Sequence, residues 1–246
     1  MKNYLIYPAK VMNITQNHGE GNHAAHSGGT LRDYPADDGG ADAGRDWFYC
    51  PCDEMKIVRI YGVGTQGINT IWMTSAAPVI MPHGEAIVTI MVEHPEDDDL
   101  SGLRVGQTFR RGEKMFREGG NGTRGRGTFG NHFHISVGTG QISGNGWVQN
   151  AAGAWVLNVT GQPLKIDQAF YLEETRIRNA GRYQFQNKPK EERNMDNTPD
   201  AYAKEAVQWA QREGILKGSE GDLLLHKNIS RQDVLVFLYR ALKGGK

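Results

Sequence analysis

Short runs of apolar and β-branched residues, separated by glycine-containing stretches, occupy the first 150 residues. The strongest run is Ala86–His94, which is uninterrupted and rich in β-branched residues. No convincing amphipathic helical pattern occurs in this part of the chain, so a mostly antiparallel sheet with long loops is expected. The predicted strands are residues 55–61, 69–74, 86–94 and 132–137.

The pattern changes towards the C-terminus. Residues 151–183 add short strand-like segments, and the polar segment 184–198 that follows predicts a linker. Apolar residues then recur at helical spacing, at 203–210 and again at 234–242. Thr198 and Pro199 predict the start of the first of these helices. The predicted fold class is a mainly β, antiparallel-sheet domain with long loops (1–183), followed by the linker and a small α-helical C-terminal module (199–246).

Composition narrows the classes of function. Hydrophobic residues make up 38% of the 246 residues and charged residues 23%, which is typical of a globular protein. The formal net charge is zero, so the broad basic field of a nucleic-acid-binding protein is missing. No apolar run is long enough for a membrane span or a signal peptide. We therefore expect no nucleic-acid or membrane partner, and a protein that is first held in the cytoplasm of the cell that makes it.

Two closely spaced pairs of side chains are candidates for metal chemistry. His132 and His134 lie two apart in a predicted strand and therefore share a face. Such a pair suits two zinc ligands, or one ligand and one catalytic base, although a pair of exposed histidines is the alternative. Cys50 and Cys52 are also two apart, but no second cysteine pair completes a site, so two partly buried thiols are expected.

The order of several short segments resembles the lysostaphin-type zinc endopeptidases, a family with a duplicated hybrid motif fold that includes phage endolysins. Residues 50–58 (CPCDEMKIV) match the family's early strand segment, and His94 matches a histidine that ends a later strand. Residues 105–115 (VGQTFRRGEKM) match a following segment. The last match is the glycine-rich run 125–134, which ends in His-Phe-His. Each segment is short, but together they occur in the family's order over about residues 10–140.

The resemblance implies a catalytic Zn²⁺ held by three protein ligands, His23, Asp37 and His134. In this family a histidine lies four residues before the aspartate, and neither His23 nor His26 has that spacing, since residues 27 and 30 are serine and threonine. An inserted loop between the two ligands is therefore implied. His26 is the alternative first ligand.

Two further histidines, His132 and His94, receive catalytic roles from the same resemblance. A fourth, open position on the zinc would hold the water that acts as nucleophile. His132 would take the proton from this water as general base, and His94 would stabilise the oxyanion or donate to the leaving amine. An exposed histidine at the end of a strand is the alternative for His94.

The C-terminal module resembles a single S-layer homology repeat. The core motif of these repeats is matched by residues 230–233 (SRQD), in which Arg231 would contact a secondary cell-wall polymer. A helical self-association segment, and so a homo-oligomer, is the alternative.

Taken together, these resemblances predict a zinc-dependent peptidoglycan endopeptidase, such as a phage endolysin, that cuts the stem peptide or cross-bridge of the bacterial cell wall. Such a protein would stay in the host cytoplasm until it is released to the cell wall at lysis. Two other functions remain open. One is an N-acetylmuramoyl-L-alanine amidase. The other is a non-catalytic wall-binding protein with a degenerate peptidase fold.

Overall fold

The structure is a computed structural model. It describes the backbone of residues 2–14, 30–35, 45–150, 155–190, 197–218, 222–227 and 231–243. Within those ranges, the side chains of residues 30–35, 231, 233 and 243 are outside the description.

The described residues form short strands and a few helices. In chain order, the elements are β1 (Val11–Asn13), β2 (Thr30–Pro35), β3 (Trp47–Tyr49), β4 (Glu54–Tyr61), β5 (Thr70–Ser75), β6 (Val79–Met81), β7 (Gly84–Ala86), β8 (Val88–Glu93), α1 (Asp97–Leu100), β9 (Thr108–Arg110), β10 (Lys114–Arg117), β11 (His132–Thr139), β12 (Ile142–Gln149), β13 (Trp155–Val159), β14 (Pro163–Leu164), α2 (Ile166–Ala169), β15 (Tyr171–Leu172), β16 (Arg176–Asn179), β17 (Gln186–Asn187), a 3-10 turn (Ala201–Ala203), α3 (Lys204–Arg212) and α4 (Arg231–Lys243).

A seven-stranded antiparallel sheet forms the centre of the first unit, residues 1–188. Its strand order is β14-β11-β8-β5-β4-β9, and β2 also pairs with β11. The four strands predicted in the first 150 residues correspond to β4, β5, β8 and β11. The prediction of a mainly antiparallel β fold with few helices is confirmed. The run at residues 86–94 differs in detail, because it divides between the end of β7 and the whole of β8, with His94 beyond the strand.

The two faces of this sheet carry different side chains, because neighbouring residues of a strand point to opposite sides. One face forms the main hydrophobic core of the unit. The other face is covered by the β12–β13 hairpin, where Leu157 packs with Trp72 and Met91. The main core includes Ile57, Ile71, Met73, Ile90, Val92, Phe133, Ile135 and Val137.

Strand alternation places Phe133 and Ile135 on the face opposite to His132 and His134, and both are fully buried. Phe133 packs edge-on against Phe48 at a centroid distance of 5.5 Å, and Phe48 stacks on Phe116 at 4.9 Å. This aromatic cluster anchors the start of β11. The histidines on either side of Phe133 are therefore carried by a strand whose position is fixed by the core.

Sheet pairing in the first unit continues to Asn187, because β17 pairs with β15. Residues 184–188 therefore belong to the first unit, and the second unit comprises residues 189–246. The domain boundaries at 183 and 198 remain predictions.

The second unit contains the two helices expected from the hydrophobic pattern, α3 and α4. The first begins later than predicted: Asp200, rather than Thr198, precedes the opening 3-10 turn. Several apolar residues of α4 are exposed, including Leu235, Leu238 and Leu242. Across the residues that the structure describes, none of the helices has the length and apolar character needed to cross a membrane.

Candidate metal centre

The candidate site begins with a cross-strand pair in the central sheet. His134 of β11 lies directly opposite Glu93 of β8, and directly opposed residues project from the same face. His134 Nδ1 is 3.1 Å from Glu93 Oε2, and the imidazole is almost completely buried. When Nδ1 donates its proton to this carboxylate, Nε2 of His134 is the nitrogen that can bind a metal. A carboxylate in this position fixes the orientation of a ligating imidazole and increases its basicity.

His94 joins this pair through an unusual backbone conformation. Its φ angle is +78°, in the left-handed region that residues other than glycine seldom adopt. In a regular strand His94 would point away from Glu93, but ligand atoms of Glu93, His94 and His134 all lie within 4.8 Å of one another. A non-glycine residue held in a strained conformation is characteristic of functional sites.

Hydrogen bonds fix the ring of His94. Its Nδ1 lies 2.7 Å from the carbonyl oxygen of Asn121, which can only accept, so Nδ1 carries a proton. The backbone on both sides of the ring is also held: His94 N donates to Asn69 O, and Asn121 N donates to His94 O. The side chain of Asn121 in turn accepts a hydrogen bond from Asn69 N at 2.9 Å. Since Nδ1 is occupied by Asn121 O, Nε2 is the ring nitrogen of His94 that can take part in metal binding or proton transfer.

His132 lies on the outer side of the group. Its ring centroid is 4.5 Å from that of His94, and the His94 and His134 centroids are 5.9 Å apart. Nδ1 of His132 donates to the carbonyl oxygen of Gly130 at 2.7 Å, so Nε2 is the nitrogen that can accept a proton. His132 is half-buried, whereas His134 is buried. This difference suits proton exchange at His132 and metal binding at His134.

A glycine-containing loop closes over the strand end that carries His94. A β-carbon at Gly119 would lie 2.4 Å from His94 O, and one at Gly120 would lie 1.9 Å from Phe129 O. The buried side chain of Glu96 accepts a hydrogen bond from Gly120 N at 3.0 Å. Glycine is thus required at Gly119 for the loop to approach the backbone of His94 this closely, and at Gly120 for the loop to pack against its own backbone at Phe129. The ring of Phe129 reaches the site edge-on, 5.0 Å from the ring of His94.

The structure brings together three of the predicted site residues: His94, His132 and His134. The predicted ligands His23 and Asp37, and the alternative ligand His26, lie outside the described residues. Arg231 is the first residue of α4, in the second unit, and its side chain is also outside the description.

Glu93 is a residue of the site that the sequence-based prediction missed. A usable signal was present, because Glu93 is the only charged residue of the run Ala86–Glu93 and directly precedes His94. Strand alternation, however, placed Glu93 on the face opposite to His94, and only the left-handed turn at His94 removes this separation.

The donor set fits a zinc ion. Imidazole nitrogen and carboxylate oxygen are the ligands that Zn²⁺ takes in catalytic sites. Among the residues that the structure describes, Glu93, His94 and His134 form the one group of three such side chains. Of the three predicted ligands, the structure describes only His134.

The two cysteines form no second metal group in the described part of the chain. Both are buried, and the Cys50 thiol donates to the carbonyl oxygen of Phe109 at 3.2 Å. The hydrogen bond between the two side chains lowers the pKa of Cys50 and raises that of Cys52, and burial raises the pKa of Cys52 further. The expected pair of thiols is therefore more deeply buried than the sequence indicated.

No protein-family model and no curated protein matches the chain. Solved structures that resemble it include a zinc-containing peptidase from Vibrio cholerae, with 16% identity and a TM-score of 0.33 over 56% of this chain and 37% of that one. A putative glycyl-glycine endopeptidase LytM from Ruminococcus gnavus has 13% identity and a TM-score of 0.34, over 63% of this chain and 57% of that one. Lysostaphin has 14% identity and a TM-score of 0.26, over 51% and 61%. The chain spans less than two thirds of each of these proteins.

Proposed function

We propose that the first unit is a zinc-dependent endopeptidase that hydrolyses peptide bonds in the stem peptide or cross-bridge of bacterial peptidoglycan. The observation that carries the proposal is the convergence of His94, His132 and His134 beside the carboxylate of Glu93. These are the three histidines to which the sequence resemblance assigns metal binding and proton transfer. The substrate class follows from that resemblance.

The proposed metal ligands are His134, through Nε2, together with Asp37 and His23. The position of β2 supports Asp37, because Pro35, the last residue of that strand, pairs with His132. Asp37 follows only two residues later, and two residues can span at most about 7 Å. His26 remains the alternative to His23.

A zinc ion at this position would act as a Lewis acid that activates water and polarises the scissile carbonyl group. His132 is the proposed general base and accepts the proton of the attacking water at Nε2, because its Nδ1 is occupied by Gly130 O. The half-buried position of His132 lets this proton pass on to solvent.

His94 is the proposed donor. Because Nδ1 already donates to Asn121 O, the ring can donate from Nε2 only when it carries both protons. A doubly protonated His94 can stabilise the oxyanion and then deliver a proton to the leaving amine.

Metal analysis tests the centre. The purified full chain is expected to contain about one zinc per molecule, and extensive chelation should abolish hydrolysis. His134→Ala should lose zinc, whereas His132→Ala should keep zinc and lose activity on the order of 10²-fold or more. His83→Ala is a matched control, because His83 is exposed and its ring bonds to Gln162 rather than to the site. Full activity in metal-free protein would refute the mechanism, and equal zinc loss in both site variants would make His132 a ligand.

Product analysis tests the substrate. Purified sacculi digested with the full chain should release new amino termini from within the stem peptide or cross-bridge. Cleavage between the sugar lactyl group and the first alanine would instead establish the amidase. Binding to sacculi without any cleavage by zinc-loaded protein would establish the non-catalytic alternative.

For the second unit we propose binding to a secondary cell-wall polymer. The resemblance of residues 230–233 to an S-layer homology core supports this proposal, as do the exposed aromatic side chains of Tyr202 and Trp209. Arg231→Ala should weaken sedimentation of the full chain with cell walls, and Arg212→Ala, in α3, serves as the matched control. Unchanged wall binding by the Arg231 variant, combined with a concentration-dependent oligomer in sedimentation, would favour the self-association alternative.

A further inference from the structure

The sheet face that carries the metal centre continues as far as β4. Directly opposed residues form a row across four strands, from His134 through Glu93 and Thr70 to Tyr61. The neighbouring row contains Trp72 and Arg59 on the same face, two positions along their strands. A ligand bound at the metal centre can therefore extend along this face towards β4.

The β12–β13 hairpin turns this part of the face into a cleft. Trp147 of the hairpin packs edge-on against Trp72 at 4.6 Å and against Tyr61 at 5.0 Å. The cleft has a volume of about 480 Å³, within the range of about 300–1,000 Å³ that small-molecule sites occupy. Because Glu93 forms part of its wall, the cleft opens beside the metal centre. Its lining includes Arg59, Tyr61, Glu93, Asn145, Trp147 and Trp155.

Two aromatic rings of the cleft have faces available to a ligand. Trp155 is 58% exposed and Tyr61 is 44% exposed. The face of an aromatic ring is negative, so it attracts the weakly positive C–H bonds on the flat face of a sugar ring. An exposed tryptophan and an exposed tyrosine in one cleft are therefore suited to a saccharide.

Arg59 adds a positive charge to the same cleft. Its guanidinium carbon is 5.3 Å from the ring centroid of Trp72 and 5.8 Å from that of Trp147. Within the described part of the chain, the buried Nε of Arg59 and the indole nitrogen of Trp147 have no hydrogen-bond acceptor. A carboxylate fits the guanidinium best, since it can accept two parallel hydrogen bonds.

We propose that this cleft is a subsite for a sugar-linked peptide, namely a peptidoglycan disaccharide with its stem peptide. One sugar ring stacks on Trp155 and Tyr61, and Arg59 donates to a carboxylate of the attached peptide. The inference rests on the proposed function, since it places the glycan strand beside the bond to be cut. It adds a preference for peptide that still carries its sugars.

Calorimetric titration of the full chain tests the subsite, in the His132→Ala background to prevent turnover. The two probes are a disaccharide–tetrapeptide and the same tetrapeptide without sugar. The disaccharide form should bind on the order of tenfold more tightly, as expected for one well-packed aromatic contact. Trp155→Ala should remove this advantage and Trp155→Phe should retain most of it. Val148→Ala is the matched control, because Val148 is exposed on the same hairpin but lies outside the cleft lining.

Arg59→Met tests the second contact, because methionine keeps a long apolar stem beside the two tryptophans and removes the charge. This variant should weaken binding of both probes about tenfold. The inference would be overturned if the His132→Ala protein bound the two probes with equal affinity. It would also be overturned if the tighter binding of the disaccharide form survived Trp155→Ala. Failure of the proposed function would look different from failure of this inference. In that case the unsubstituted chain would cut no peptide bond in sacculi, while the dependence of binding on Trp155 would persist.

Discussion

Glu93 provides the sharpest test of the metal centre. Glu93→Gln keeps the length of the side chain and the hydrogen bond to the imidazole of His134, but removes the negative charge 3.1 Å from Nδ1. The lost charge reduces the basicity of Nε2, the nitrogen proposed to bind zinc. It also weakens the preference for the ring orientation that directs Nε2 to the metal.

The magnitude follows from the position of Glu93 behind the ligand. Replacing a carboxylate that supports a ligating histidine lowers metal affinity by about 10–100-fold, or about 1.4–2.7 kcal/mol. Removing His134 itself deletes a direct ligand and should cost far more. The ratio of the two effects therefore distinguishes a positioning residue from a ligand.

Zinc affinity is measured by competition with a chromogenic chelator, on the full chain and the two variants. Glu85→Gln is the matched control, because Glu85 is an exposed glutamate of β7 outside the site. Zinc loss by Glu93→Gln as complete as that by His134→Ala would make Glu93 a ligand. Unchanged affinity would refute any role of Glu93 at the metal.

Four further outcomes are expected. Gly120→Ala should lower both activity and zinc affinity, measured on the same preparation, because the added β-carbon would lie 1.9 Å from a carbonyl oxygen across the loop; a fully active variant would contradict the described loop. His23→Ala should deplete zinc and His26→Ala should not, and elemental analysis showing the reverse would transfer the ligand role. Residues 1–188 alone should fold and cleave soluble muropeptides while binding cell walls more weakly than the full chain; equal wall sedimentation of the two would contradict the role of the tail. Phe133→Ala should lower the free energy of unfolding by about 3–5 kcal/mol in denaturant titration, and a change under 1 kcal/mol would show that the aromatic cluster is not a tightly packed core.

Local patterns in the sequence were sufficient for four strands of the central sheet and for the two C-terminal helices. Strands such as β4 and β8 are rich in β-branched and apolar residues and are bounded by turn residues, so their existence follows from short-range signals. The burial of Phe133 between two histidines also follows from strand alternation alone. The helices α3 and α4 were visible because the hydrophobic period changes from that of a strand to that of a helix.

The sequence by itself also singled out three histidines that the structure brings together: strand alternation pointed to His132 and His134, and the family resemblance pointed to His94. Only the tertiary structure decided that Glu93 belongs with them. Its pairing with His134 depends on the register between β8 and β11, which are separated by about 40 residues of chain. Its proximity to His94 depends on a left-handed backbone, which histidine adopts in only a minority of cases and which the sequence does not signal at the end of a strand. Register and strained dihedral angles are set by the packing of the whole sheet, and a linear pattern of residue types does not contain them.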